Sequence, residues 1–146
     1  MNKKLTARVQ KLNPALKDQE KSFSFALVIE PESKDLSLSK GSLYAVFDIT
    51  SNNIFDTGIV EKVINDVLTD VYYNTETTSP IQALEKALSK VKDNISDLQQ
   101  NSTIVDSTIE FNALVSVLWG NVFYIVQYNK GLGYLMRGND IKPIQT

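Results

Sequence analysis

The apolar positions of this chain fall into patterns that each predict an element. Phe23-Ser24-Phe25-Ala26-Leu27-Val28-Ile29 is aromatic and β-branched and is stopped by Glu30-Pro31, so it reads as a strand. Leu43-Tyr44-Ala45-Val46-Phe47 is an unbroken apolar run ending at Asp48, the pattern of a strand buried on both faces. The polar stretches on either side, Glu32 to Ser42 and Thr50 to Asp56, read as loops. Ile59, Val60, Val63, Ile64, Val67, Leu68 and Val71 then form one stripe at helical period. After a threonine-rich turn from Asn74, Ser79-Pro80-Ile81-Gln82 starts a second helix with a cap residue, a proline in first position and a glutamine three residues after the cap. Its stripe is Ile81, Leu84, Leu88, Val91, Ile95 and Leu98, opposite a face carrying Lys86, Lys90 and Asp93.

Gln99 to Asp106 is polar, and from Thr108 the pattern is all strand. Asn112 to Trp119 and Val122 to Tyr128 flank Gly120-Asn121, a pair that favours a tight hairpin. A second hairpin runs from Leu132–Met136 through Arg137-Gly138-Asn139-Asp140 into Ile141 to Ile144. Strands, two helices and then three or four meandering strands predict an α+β fold, an antiparallel sheet with a helical pair on one face. Two helices cover only one face of a sheet. Val115, Val117, Trp119, Phe123, Ile125 and Tyr134 are too many for one face, so the second face also calls for cover. A strand pair from Thr6 and Phe23 would give only a partial second sheet, and Thr6 to Leu12 alternates so weakly that it predicts an edge strand or none.

At 146 residues the chain is the length of one domain, with a polar segment over 1–21 and a core over 22–146. Fifteen basic against seventeen acidic residues leave a charge of −2, which argues against a polyanion-binding surface and so against nucleic acid. There is no cysteine and no histidine. Disulfides, thiolate nucleophiles and cysteine zinc sites are thereby excluded, as are the commonest general base and the commonest metal ligand. Met1-Asn2-Lys3-Lys4 is not followed by an unbroken apolar stretch, and no run approaches the roughly 20 residues of a membrane-spanning helix. A cytoplasmic setting is expected, without membrane insertion. The Asn-x-Ser/Thr triplets at Asn94 and Asn101 carry little weight without a secretion signal.

Few residues offer chemistry. Asp48 closes a buried strand ahead of a polar loop, a common place for a metal-binding carboxylate and also for a turn cap. A hard cation wants several oxygen ligands, usually with two or more carboxylates, and no Asp-x-Asp or Glu-x-x-Glu pair stands nearby. Asp56 reads as the cap of the first long helix and Glu61 as a residue of its first turn. Asn129-Lys130-Gly131-Leu132-Gly133 is glycine-rich but lies between strands, where a turn or bulge is expected instead of a phosphate cradle. Phe111, Trp119, Phe123, Tyr124, Tyr128 and Tyr134 alternate along strands, mostly as core, although an exposed subset would suit stacking on single-stranded nucleic acid. Lys3 and Lys4 read as a solvated terminus.

Two stretches together carry a family resemblance. Gly41-Ser42-Leu43-Tyr44-Ala45-Val46-Phe47-Asp48 resembles the strand that ends in the metal-binding Asp-Gly of the metal-dependent protein serine/threonine phosphatases of the PPM type. Ala113 to Val126 is similar to that family's central hairpin, and Gly133-Tyr134-Leu135-Met136-Arg137-Gly138-Asn139 to the strand and turn after its Gly-Asp-Ser-Arg motif. The family also places two helices between these stretches. The resemblance therefore implies a PPM-like sandwich of antiparallel sheets, whole or partial, with the helical pair on one face.

The family's chemistry does not carry over with it. Ile49, Thr50 and Ser51 stand where it has Gly and a glycine-rich stretch, and Asn129-Lys130-Gly131-Leu132 stands at its Gly-Asp-Ser-Arg. Its Arg-x-x-Asn-Glu-Asp motif has no counterpart before Phe25, and the chain stops at Thr146, short of the family's remaining aspartates. Asp48 is the one candidate metal ligand that matches. The expectation is a non-catalytic domain with no cofactor, acting in protein interaction, scaffolding or sensing through a protein partner, a second copy or a downstream segment. The alternatives are an active phosphatase completed by residues outside this chain and a single-stranded nucleic-acid module.

Overall fold

A computed structural model describes residues 6–13, 19–76, 79–100 and 108–144. The elements run β1 (Gln19–Ile29), α1 (Lys34–Lys40), β2 (Ser42–Asp56), α2 (Thr57–Asn74), α3 (Pro80–Gln100), β3 (Ile109–Trp119), β4 (Val122–Tyr128), β5 (Tyr134–Arg137) and β6 (Asp140–Pro143). The fold is α+β. β1 to β4 form one antiparallel sheet in sequence order, and β5 and β6 pair as a separate two-stranded sheet.

Register decides which residues share a face. Phe25, Phe47, Ala113 and Tyr128 make one row across the sheet, and Leu27, Ala45, Val115 and Val126 the next. With Phe23, Leu43, Ile49, Phe111 and Val117 they build the inner face, on which α2 lies over β1, and α3 over β3 and β4. The helices reply with Val60, Ile64, Leu68 and Tyr72 from α2 and with Ala83, Leu84, Ala87, Leu88, Val91 and Ile95 from α3, all buried. Ala83 and Ala87, outside the predicted stripe, are buried beside it. Val63 and Val67, expected between helices and sheet, are only half-buried, and Ile59 is exposed. Asp56 caps α2, its Oδ1 accepting from the Ile59 N–H at 3.1 Å, and Ser79 Oγ accepts from the Gln82 N–H at the start of α3.

Four expectations need correction. The stretch from Glu32 to Ser42 contains the helix α1, capped by Ser33 at one end and Gly41 at the other. Thr50 to Asp56 continues β2, because Ser51 pairs with Ile109, and Phe55 and Asp56 pair with Glu20 and Gln19. β5 and β6 leave the main sheet instead of extending its meander. The strand from Phe23 is an edge of the main sheet, and residues 6–13 form no strand, so no second sheet arises from that pair. The connection over 101–107, Asn101 with it, lies outside the described residues, as do Lys3 and Lys4. No helix among the described residues is long and apolar enough to cross a membrane.

The outer face carries Ala26, Val28, Tyr44, Val46, Leu114, Leu118, Phe123 and Ile125, in rows fixed by the same register. Its cover is light. Val9 to Lys11 lie over Ala26, Tyr44 and Leu114 around a shallow cavity of about 160 Å³. Gly133 approaches the Leu114 side chain so closely that a Cβ there would stand 2.6 Å from a leucine methyl.

Candidate functional site

Asp48 lies on the outer face of β2, in register with Ser24 of β1 and Asn112 of β3. Its carboxylate is exposed, and Oδ1 accepts a hydrogen bond from Ser24 Oγ at 2.9 Å. Asn112 Oδ1 already accepts from the Lys130 backbone N–H at 3.1 Å. These residues meet at a cavity of about 200 Å³ walled by Val46, Leu114 and Leu132 and shared by Asp48, Asn112 and Lys130. A divalent cation of the kind the phosphatase resemblance implies needs clustered oxygen ligands with more than one carboxylate. Here one carboxylate accepts from a hydroxyl and shares its cavity with Asn112 and Lys130. Among the described residues no three Asp, Glu, His or Cys side chains come together as a metal site. The residues do not fit the metal.

The other sequence candidates are taken up by structure. Asp56 is the α2 cap, and Glu61 sits half-buried on the first turn of that helix. Asn129 has a left-handed φ of 54°, and its Nδ2 donates to the Phe111 carbonyl at 2.9 Å, closing the turn after β4. Gly131 runs backbone against backbone, since a Cβ there would lie 1.9 Å from the Ala113 carbonyl oxygen. The glycines therefore permit close approach, and no helix follows to aim its amino end at a phosphate. The aromatic residues divide between layers. Phe111 stacks on Tyr128 at 4.6 Å between ring centres and lies 5.8 Å from Phe47, on the inner face with Trp119 and Tyr124. Only Phe123 and Tyr134 of the six are exposed, and they come from different sheets.

Two features escaped the sequence reading. Tyr72 and Tyr73, at the end of α2, tie that helix to the chain around α1. Tyr72 Oη donates to the Lys40 carbonyl at 2.6 Å and Tyr73 Oη to the Gly41 carbonyl at 2.9 Å, while Trp119 Nε1 donates to the Leu38 carbonyl at 2.7 Å. Burial, with Tyr124 nearby, pushes the Tyr72 phenol up to about 12. Burial also raises Tyr73, helped by Tyr72 and Tyr44. Spacing held the signal for Tyr72, which continues Val60, Ile64 and Leu68 at intervals of four.

The second feature is the β5–β6 hairpin. Leu132, Tyr134, Leu135, Met136 and Ile141 are all more than half exposed. Its base is built: Gln127 Nε2 donates to the Gly131 and Ile144 carbonyls, and the Ile144 N–H donates to the Gly133 carbonyl at 2.8 Å. A two-stranded hairpin is marginal in water by itself, so one held at its base with apolar side chains outward suits contact with another surface. No family model, no curated protein and no solved structure matches this chain.

Proposed function

We propose that this chain is a non-catalytic domain of PPM-like architecture that works by binding protein. The order of two strands, two long helices and a central hairpin supports the architecture. The isolation of Asp48 among Ser24, Asn112 and Lys130 supports the lack of catalysis. The observation that carries the interaction role is the anchored hairpin, whose Leu135 and Met136 are 53% and 68% exposed. Burying such side chains is worth roughly 25 cal/mol per Å², which a protein surface supplies and water does not. We place the domain in the cytoplasm, where a chain without cysteine forgoes no disulfide.

The test has two arms. Incubation with an aryl phosphate and Mn²⁺ is expected to release no phenol above the protein-free rate. Chemical crosslinking in an extract of the native cell is expected to give discrete adducts with the wild-type chain that disappear in the Leu135→Asp/Met136→Asp variant. Mn²⁺-dependent hydrolysis lost in Asp48→Asn would overturn the reading, and so would adducts unchanged by the double variant.

A further inference from the structure

The β5–β6 hairpin has two unlike faces. Residues paired across strands share a face, and alternate residues along a strand share it too. Tyr134 pairs with Pro143 and Met136 with Ile141, which makes one face without a charge. Leu135 pairs with Lys142 and Arg137 with Asp140, which makes the other. All four residues of each strand are exposed, so neither face is buried against the main sheet. On the charged face Leu135 stands between two cations, Lys142 opposite it and Arg137 two residues further along its own strand. Neither cation is engaged within the chain. Among the described residues Arg137 and Lys142 make no ion pair, not even with Asp140. With Lys130 at the base, residues 129–144 hold three cations and one carboxylate, a charge of +2 in a chain whose total is −2, so the remainder is at −4. The hairpin is thus a basic and apolar element on an otherwise acidic chain.

We propose that the charged face of the hairpin takes an acidic segment of a partner protein, in which an apolar residue is flanked by glutamates or aspartates. This rests on the reading of the hairpin as the protein-binding element and names the chemistry of its partner. The apolar side chain packs on Leu135, and the flanking carboxylates reach Arg137 and Lys142. The Arg137 guanidinium is a planar fork that donates to both oxygens of one carboxylate, and the Lys142 ammonium is a point charge. Opposite charges set the register and speed the encounter, while apolar burial holds the contact. Nucleic acid or an anionic bilayer spreads its negative charge over a wide area and meets the acidic remainder of the chain as well. A short acidic segment meets the hairpin alone. Asp140 opposes such a ligand and limits its affinity.

Fluorescence anisotropy with a dye-labelled peptide of alternating leucine and glutamate tests this. The wild type is expected to bind it saturably, and less well as salt rises, since exposed charges are screened over about 8 Å at physiological ionic strength. The same peptide with glutamine in place of glutamate should bind at least about tenfold more weakly, and so should the acidic peptide to Arg137→Glu/Lys142→Glu. Asp140→Asn should bind the acidic peptide more tightly than the wild type does, a gain that misfolding cannot produce. Equal binding of the glutamine peptide, or binding unmoved by the charge reversal, overturns the proposal. Sedimentation with phosphatidylserine vesicles or retention on single-stranded DNA, without binding of the peptide, overturns it equally. If every peptide fails while crosslinked adducts still depend on Leu135 and Met136, this inference falls and the broader reading stands. Adducts that ignore those two residues overturn the broader reading itself.

Discussion

Gly41 meets Leu118 backbone against backbone: a Cβ at Gly41 would stand 2.3 Å from the Leu118 carbonyl oxygen. The contact closes the end of α1 onto β3. Gly41 has φ 77° and ψ −166°, a region open essentially to glycine alone, and its N–H donates back to the Ser37 carbonyl. Its own carbonyl accepts from Tyr73 Oη. One residue thus joins the short helix, the second strand, the third strand and the end of α2.

Replacing Gly41 with alanine is therefore expected to be more damaging than its size suggests. Backbone strain of this kind costs about 1–3 kcal/mol, and the displaced Leu118 carbonyl adds to it. Urea unfolding of Gly41→Ala should show a midpoint lowered accordingly. Gly120→Ala, also at positive φ but with nothing within 4 Å of the added carbon, should lose less.

The helical stripe gives a graded test of packing. Leu88 is 4% exposed beneath α3, so Leu88→Ala should cost about 2–5 kcal/mol. Ile59 is 50% exposed on α2, and Ile59→Ala should stay within about 0.5 kcal/mol of wild type. Equal losses at the two sites, measured by denaturant midpoint, would mean that the helices do not face the sheet as described.

The tyrosines at the end of α2 make stability fall in alkali. Both phenols titrate higher in the folded state than the ordinary value of 10, burial being the larger cause for each. Above that value the unfolded chain has lost protons that the folded one still holds. The stabilisation is complete below pH 10 and declines as pH rises towards about 12, by up to about 1.4 kcal/mol per pH unit for each tyrosine. Urea midpoints at pH 8, 10 and 11 should show this decline. Tyr73→Phe should start lower, having lost its bond to Gly41, and should fall less steeply.

The long helices were legible because their stripes are local: Ile64, Leu68, Leu84, Leu88 and Val91 announce their burial by spacing alone. The Gly120-Asn121 hairpin was legible for the same reason. α1 was not, since it buries no side chain and its Leu36 and Leu38 point to solvent, leaving no stripe to read. Ser51 to Asp56 were missed because their strand character comes from partners far away, Ile109 on one side and Glu20 on the other. At the candidate site, Asp48 could be singled out from its place after an apolar run. Its neighbours Ser24 and Asn112 could not, because only sheet register brings them beside it.

The most direct measurement of the central claim is thermal unfolding with and without Mg²⁺ or Mn²⁺, on the wild type and on Asp48→Asn. A ligand bound to the native state at 100 times its dissociation constant adds about 2.7 kcal/mol, a rise of roughly 5–10 °C in Tm for a chain of this size. With one carboxylate beside Ser24, Asn112 and Lys130, the four melting curves are predicted to coincide in pairs, metal changing neither protein. A rise of that size in the wild type, abolished by Asp48→Asn, would contradict the account and return the domain to metal-dependent chemistry.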